Sequence, residues 1–585
     1  MQKILRNKSL KKKIFNSFIA QYQLLSLLIL AITAPLLWLM IAFALFSFHN
    51  ALQSIQKFVD SLHFVAFYVA YNASFYVRKK QIDRIKKIMQ NIAMSAFTKI
   101  PRIMLASASS ASGKTTITAA LIKVLSKKAE REGKSKPCAF KCGPDFIDPM
   151  FHKKAGAESA NLDSFFLPKE KLRSLFCHYA KGSLAIIEGA MGFYDGFSQK
   201  SESGSAFEIA NILDCPVILV VDASKSSRSI LALISGFKNW KSNSKIEGVI
   251  LNNISKMRAQ EMKDVIENEI GIKMLGSLEK KAQYAIESRH LGLMTPESDG
   301  EVDEKLSLLE KEVEESFDIE KILEIAQSAS EISFEDNLFT EFLGENKTET
   351  KKIQIAVAKD EAFCFYYREN LDLLCSMGAK IVEFSPLKDE KLPDGTDALY
   401  LGGGYPELFP EKLFENTTMI KSIKNSVLGG LPTIAECGGF LYLQALGVLK
   451  GTFRNTGKLC RFGYATIKAN NDTLLLKEGQ EIKAHEFHYF DTSENGSDCT
   501  ATKMSGKSWQ CVHSSPFSDE AALPPFSETL NIWAGFPHLY FLSNTDFAKN
   551  FVSAALRFQK QRTIVRTKCS VCPKKRAMRL QSQGK

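Results

Sequence analysis

Two series of short, almost wholly apolar runs, each closing on glycine, aspartate or a polar turn, restrict this chain more than any other feature. The first series reads "RIMLA" from Arg102, "LAIIEG" ending at Gly189, "CPVILVVDA" ending at Ala223 and "IEGVILNNI" ending at Ile254. The second reads "KIQIAVA", "AKIVEFSP", "DALYLGGGYPE" and "LPTIAECGGFLYL", between Lys352 and Leu443. Runs this rich in Ile, Val and Leu suit strands buried on both faces, and helical stretches separate them. That pattern predicts parallel sheets covered by helices. The expected fold class is therefore α/β, with two Rossmann-like doubly wound domains. Between them the chain turns acidic, from "ESDGEVDEKLSLLEKEVEESFD" to "LGENKTETKK", which reads as helix followed by solvated linker. The expected partition is residues 101–345 and 351–559, after an extension at 1–100 and before a basic tail at 560–585.

A chain of 585 residues is too long for one core. Its formal charge of +12 would favour an acidic partner if a folded surface carried it. The excess sits at the ends instead, in Lys3, Arg6, Lys8, Lys11, Lys12 and Lys13, and again in Arg562, Arg566, Lys568, Lys574, Lys575, Arg576, Arg579 and Lys585. No nucleic-acid partner is expected. The chain holds 12 cysteines, scattered as in a reducing cytosol, with Cys569 and Cys572 forming half of a zinc motif at best. Residues 24–48 lack any charge over roughly 25 positions, long enough to span a bilayer. Preceding basic residues favour a cytoplasmic N-terminus. Two readings stand open for this segment: a membrane anchor, or a fusion remnant or mis-set start ahead of a cytoplasmic enzyme.

"ASASSASGKTT" follows the first strand and opens a helix at Lys114. A phosphate needs a row of backbone N–H groups at a helix N-terminus, with a lysine and a metal-binding hydroxyl beside it. Ser109, Gly113, Lys114, Thr115 and Thr116 are the expected ATP-binding residues. Downstream, "KCGPDFIDPMFH" places Asp145 and Asp148 in a loop, where turn formation is the competing explanation. "IIEGAMGFYDGF" sets Glu188 at the end of a strand and Asp195 in the loop after it. Ligand-binding groups collect at the carboxyl ends of strands in such sheets, so three acidic loops beside one phosphate loop favour a Mg2+–nucleotide site.

In the second half, "AECGGFLYL" places Cys437 between a strand and a Gly-Gly helix start. A thiol on that turn is exposed to the helix N-terminus, which is expected to lower its pKa, and the turn's N–H groups can hold an oxyanion. "YLGGGYPELF" offers a second oxyanion donor. The base is open among His485, His488, His513 and His538, because the partnership is spatial.

These motifs in this order, with "NLDSFF", "GVILNNI", "SRHLGL", "VAKDEAFCFYYRENLDLL", "GAKIVEFSPLKDEKLP", "RFGY", "HEFHYF" and "HLYF", resemble the cobyrinate a,c-diamide synthase family over Arg102 to Gln559. The resemblance implies a P-loop dethiobiotin-synthetase-like domain followed by a class I-like glutamine amidotransferase domain. It implies Cys437 as nucleophile and His538 as base, with no acid two residues beyond that base. His485 and His488 would be structural or interfacial. It assigns Mg2+ to Thr115 and Glu188, and substrate or phosphoryl transfer to Asp145, Asp148 and Asp195. Substrates would be cobyrinate, L-glutamine and ATP, joined by acyl-phosphate activation and amidation at the a and c carboxylates. In that superfamily the phosphate loop is one residue longer than the standard pattern. Its first glycine falls at Ser107, and Ala111 and Tyr540 are further departures. Hydrogenobyrinate or nickel-sirohydrochlorin are the rival substrates. A membrane-tethered partitioning or regulatory ATPase is the rival from another class. Homodimer formation is left open.

Overall fold

The computed structural model describes residues 95–281, 301–335, 353–514 and 530–581, with shorter pieces at 284, 288–289, 292–293 and 338–339 and side chains to 564 in the last helix. Residues 1–94, with the apolar 24–48 segment, lie outside these, as do the side chains of Cys569 and Cys572. Among the described residues no helix is long and apolar enough to cross a membrane. Ser95–Lys585 clusters as one compact unit.

Its first half is built on a seven-stranded, wholly parallel sheet. The strand order is Ser159–Leu162, Cys138–Cys142, Ala185–Glu188, Arg102–Ser107, Val217–Asp222, Ile246–Asn252 and Lys273–Leu278. The order reverses direction around Arg102–Ser107, so the loops leaving Ser107 and Glu188 open side by side at one edge, where ligands bind in such sheets. Helix Lys114–Arg131 packs Ile117, Leu121, Val124 and Leu125 against Leu306, Leu309 and Val313 of helix Val302–Ser316. The spacing of 3 or 4 residues keeps those side chains on one face. Each one buried contributes roughly 1.5–3 kcal/mol and holds the helix start firmly under the phosphate loop.

The second half carries five parallel strands in the order Lys380–Phe384, Gln354–Ala358, Ala398–Leu401, Thr433–Glu436 and Ile532–Gly535, with His513–Ser514 antiparallel at the edge. Both expected α/β units are present. The sequence reading missed a five-stranded antiparallel sheet: Ser508–Cys511, Cys499–Thr502, Arg461–Ala469, Glu481–His488 and His538–Leu539. Its short last strand carries His538, set in register opposite His485.

Candidate active sites

The phosphate loop is held from both sides. Gly113 adopts φ 84°, and a Cβ there would lie 2.2 Å from Asn252 Nδ2. Asn252 itself donates to the Ser112 carbonyl at 2.9 Å, closing the loop against the strand beyond Val217–Asp222. Only glycine meets both demands. Lys114 is buried and donates to Ser107 Oγ at 2.7 Å, to the Met191 carbonyl at 2.7 Å and to the Ser109 carbonyl at 3.3 Å. Ser107 therefore supplies a resting partner for the lysine. Burial, and then neighbouring Lys141, brings the Lys114 ammonium down to about 8. Ser109 is exposed and Thr116 half-buried at the start of the helix. Ala111 keeps the left-handed backbone that its missing glycine would favour, with φ 60°.

Thr115 Oγ1 donates to Glu188 Oε1 at 2.7 Å, bringing together the two residues assigned to the metal. Around Glu188 the structure adds two groups that sequence reasoning passed over. Lys141 donates to Glu188 Oε1 at 3.0 Å and pairs closely with Asp148, while His152 Nε2 lies 2.7 Å from Glu188 Oε2. All four are at most 5% exposed. Burial alone would raise the Glu188 carboxyl. Lys141 and the hydrogen bonds from His152 and Thr115 outweigh it and hold the group well below the usual carboxylate range. Asp148 goes the other way, raised by burial and then by Asp145 and Glu188. The two remaining aspartates have local duties. Asp145 Oδ1 accepts from the N–H groups of Ile147 at 2.8 Å and Asp148 at 3.2 Å, capping helix Ile147–Ala155. Asp195 is exposed and accepts from Gly192 N–H at 2.9 Å.

Hard oxygen donors suit Mg2+, and here Thr115 Oγ1 and Glu188 stand beside Asp148 Oδ1, which is buried without a hydrogen-bond partner. Among the described residues no group of three or more His, Cys, Asp and Glu side chains is arranged for a metal. The set therefore fits an ion that arrives with phosphate oxygens and water as its other ligands.

Cys437 sits at φ 49°, ψ −104°, directly before helix Gly438–Ala445, and its N–H donates to the Gly535 carbonyl at 2.8 Å. A non-glycine residue held this way is strained, as expected of a nucleophile on a sharp strand-to-helix turn. The glycine loop packs against the same turn: Gly439 N–H donates to the Gly402 carbonyl at 3.0 Å. A Cβ on Gly403 would come within 2.3 Å of His538 Cε1, so the base's ring occupies the space that glycine leaves. The expected low thiol pKa is corrected here. Burial first, then the neighbouring Glu407 and Glu486, pushes the Cys437 thiol up. His538 is buried, and burial followed by His485 and His488 lowers it to about 3. It is thus neutral near pH 7 and able to accept a proton.

The acid absent beyond His538 has a spatial counterpart before the cysteine. Glu436 Oε2 lies 3.9 Å from His538 Nδ1, an atom without a hydrogen-bond partner. Glu436 also accepts from Leu539 N–H at 3.2 Å and from Tyr400 OH at 3.1 Å, tying the nucleophile's strand to that of the base. Burial pushes its carboxyl to about 8. Of the other histidines, His485 is brought down to about 4 by burial and packs its ring on Phe462 and Tyr464. His513 stands at the sheet edge with its ring 5.7 Å from Phe440.

An aromatic seam joins the halves. Phe146, between Asp145 and Asp148, stacks on Phe365 at 5.1 Å and 9°, and its ring centroid is 5.0 Å from that of His538. Tyr540 is buried and stacks on Phe166 at 4.5 Å and 6°. Tyr464 OH donates to Asp163 at 2.7 Å across the same seam.

Residues 103–293 match the CobQ/CobB/MinD/ParA nucleotide binding domain, and residues 354–546 match the CobB/CobQ-like glutamine amidotransferase domain. Fold and comparisons together define a nucleotide-using, glutamine-hydrolysing ligase. The chain is 39% identical over 427 residues to a cobyrinate a,c-diamide synthase of Caldanaerobacter subterraneus subsp. tengcongensis, covering 70% of this chain and 91% of that protein. It is 35% identical to the Picrophilus torridus synthase, covering 78% and 98%, and 34% identical to that of Priestia megaterium, covering 79% and 98%. The chain belongs to the cobyrinate a,c-diamide synthase family.

Proposed function

We propose that this enzyme amidates the a and c carboxylates of cobyrinate, using ATP and glutamine, as a step of cobalamin biosynthesis. Residues 101–345 form the ATP-dependent ligase half and 351–559 the amidotransferase half. The observation that carries the reading is the seam at Phe146, which sets the loop of Asp145 and Asp148 directly against the ring of His538.

In the amidotransferase half His538 takes the Cys437 proton as sulfur attacks the carboxamide carbon of glutamine. Backbone N–H groups not already engaged at this turn, that of Gly438 and those of the Gly403–Gly404 loop, stabilise the oxyanion. Protonated His538 returns the proton to the leaving nitrogen, ammonia departs, and water hydrolyses the thioester to glutamate. Glu436 orients the imidazole from the Nδ1 side. In the ligase half Lys114 exchanges its Ser107 and Met191 partners for phosphate oxygens, and the loop N–H groups cradle the nucleotide. Thr115 and Glu188 would hold Mg2+, which supplies charge neutralisation on the transferring phosphoryl group. Lys141 and Asp148 flank the substrate carboxylate as it attacks the γ-phosphorus, with ADP leaving. Asp145 and Asp195 shape the loops around it. Ammonia then attacks the acyl phosphate, and inorganic phosphate leaves the amide behind.

Chromatography of products from cobyrinate, glutamine and ATP tests the reading. The expected result is stepwise mono- and diamide formation with one ADP per amide; no diamide, or a product from nickel-sirohydrochlorin alone, overturns it. Fractionation of the native protein between membrane and cytosol separately tests a tether through residues 24–48.

A further inference from the structure

Glu486 and His488 lie two residues apart on strand Glu481–His488 and so share one face of the antiparallel sheet. Glu486 is 1% exposed, yet both its carboxylate oxygens are buried without a hydrogen-bond partner. A buried carboxylate in that condition is costly unless something supplies donors. His488 does not. Its Nδ1 lies 2.6 Å from the Phe490 carbonyl, which can only accept, so Nδ1 bears a hydrogen and that hydrogen is spent there. Nε2 is 3.5 Å from Glu486 Oε2 and also lacks a hydrogen-bond partner. Both oxygens of Glu486 are thus left without a donor, and a group with several N–H donors and a positive charge would satisfy them.

These residues border the glutaminase site. The His488 ring lies flat on Phe536, at 3.8 Å and 2°. Phe536 stands between Gly535, whose carbonyl holds the Cys437 N–H, and His538. We propose that Glu486, with His488, is the receptor for the α-ammonium group of glutamine. The proposal rests on the reading of Cys437 and His538 as the glutaminase pair. It also bears on the raised thiol, whose main cause is burial. Glu486 is one of the carboxylates that push Cys437 up, and an ammonium seated beside it would cancel part of that field. The substrate would then favour formation of the thiolate that attacks it.

The test compares glutamine with glutaramate, which keeps the carboxamide and α-side carboxylate but lacks the amino group. Rates are expressed relative to ammonia-dependent amidation by the same preparation, so that a folding defect cancels. Glu486→Gln is expected to lower kcat/KM for glutamine about 10- to 100-fold, mostly through KM, as befits one charged hydrogen bond. Hydrolysis of glutaramate should change by less than about twofold, and Glu486→Asp should recover part of the preference for glutamine. Equal losses with both compounds, or a loss of discrimination in Glu407→Gln instead, would overturn the proposal. Wild-type protein that amidates with ammonia but ignores glutamine would remove the underlying glutaminase reading, a distinct result.

Discussion

The two candidate sites handle buried charge in opposite ways. In the ligase half the two buried acids at the centre of the site share a cation: Glu188 and Asp148 both pair with Lys141. In the amidotransferase half the acids near the nucleophile have none. Glu436 is raised to about 8 and Glu407 to about 7 by burial, while Glu486 has no donor at all. A site that receives phosphates must bring its own positive charge and hold it against internal partners until the ligand arrives. A site that receives a zwitterionic amino acid can leave an anion bare, because the substrate carries the complementary cation. The first site is poised by pairing and the second by its lack of pairing.

The largest expected effect breaks the two halves apart. Cys437→Ser should reduce glutamine-dependent amidation on the order of 10⁴-fold while amidation from ammonium salts persists, measured as amide product with each nitrogen source. Unchanged glutamine use would remove Cys437 from the chemistry. Glu188→Gln should act in the reverse sense. It removes the negative charge that Lys141 and His152 share, costing about 3 kcal/mol of stability in denaturant titration. It should also lower amidation from either nitrogen source about 100-fold, with glutamine hydrolysis retained. If glutamine and ammonia respond differently, the contrast between the sites is drawn in the wrong place.

A pH experiment sharpens the contrast. The free Lys114 ammonium titrates near 8, so above that pH the lysine is neutral until nucleotide binds. Phosphate favours the charged form, so binding above pH 8 takes up a proton and affinity should fall toward tenfold per pH unit. Below pH 8 the affinity should be level. Lys114→Arg, always charged, should remove the slope. His538, lowered to about 3, predicts no matching acid limb in glutamine hydrolysis between pH 5 and 8.

What was legible in the sequence follows the range of the interactions involved. The parallel strands announced themselves because burial on both faces leaves an unbroken apolar run, and Lys114, Thr115 and Glu188 lie at the ends of such runs. The antiparallel sheet did not. Strand Glu481–His488 buries Ile482, Ala484, Glu486 and His488 on one face, and a buried acid and histidine disguise the alternation. Lys141 and His152 closed the quoted aspartate loop at either end. They meet Glu188 only through strand pairing of Lys141 with Glu188 and the fold-back of helix Ile147–Ala155. Glu436 reads as an ordinary strand residue until pairing with Gly535 brings the His538 loop beside it. The expected low thiol pKa weighed the helix N-terminus and could not weigh acids distant in sequence.

The smallest prediction asks whether the phosphate loop's departures from the family are strain or adaptation. Ser107 is adapted, because its hydroxyl accepts from the Lys114 ammonium at 2.7 Å. Ala111 has no such return. It is exposed and keeps φ 60°, where a Cβ costs roughly 1–2 kcal/mol. Glycine would remove that cost but lose about 0.4–1 kcal/mol through the freer unfolded chain. Ala111→Gly should therefore stabilise the protein by only about 0.5 kcal/mol net, with nucleotide affinity equal to or slightly above that of the parent. Calorimetry with and without ATP reads both. Destabilisation by the glycine would mean that the alanine methyl makes a contact worth more than the strain, and the loop would have to be counted as preorganised by its side chains as well as by its backbone.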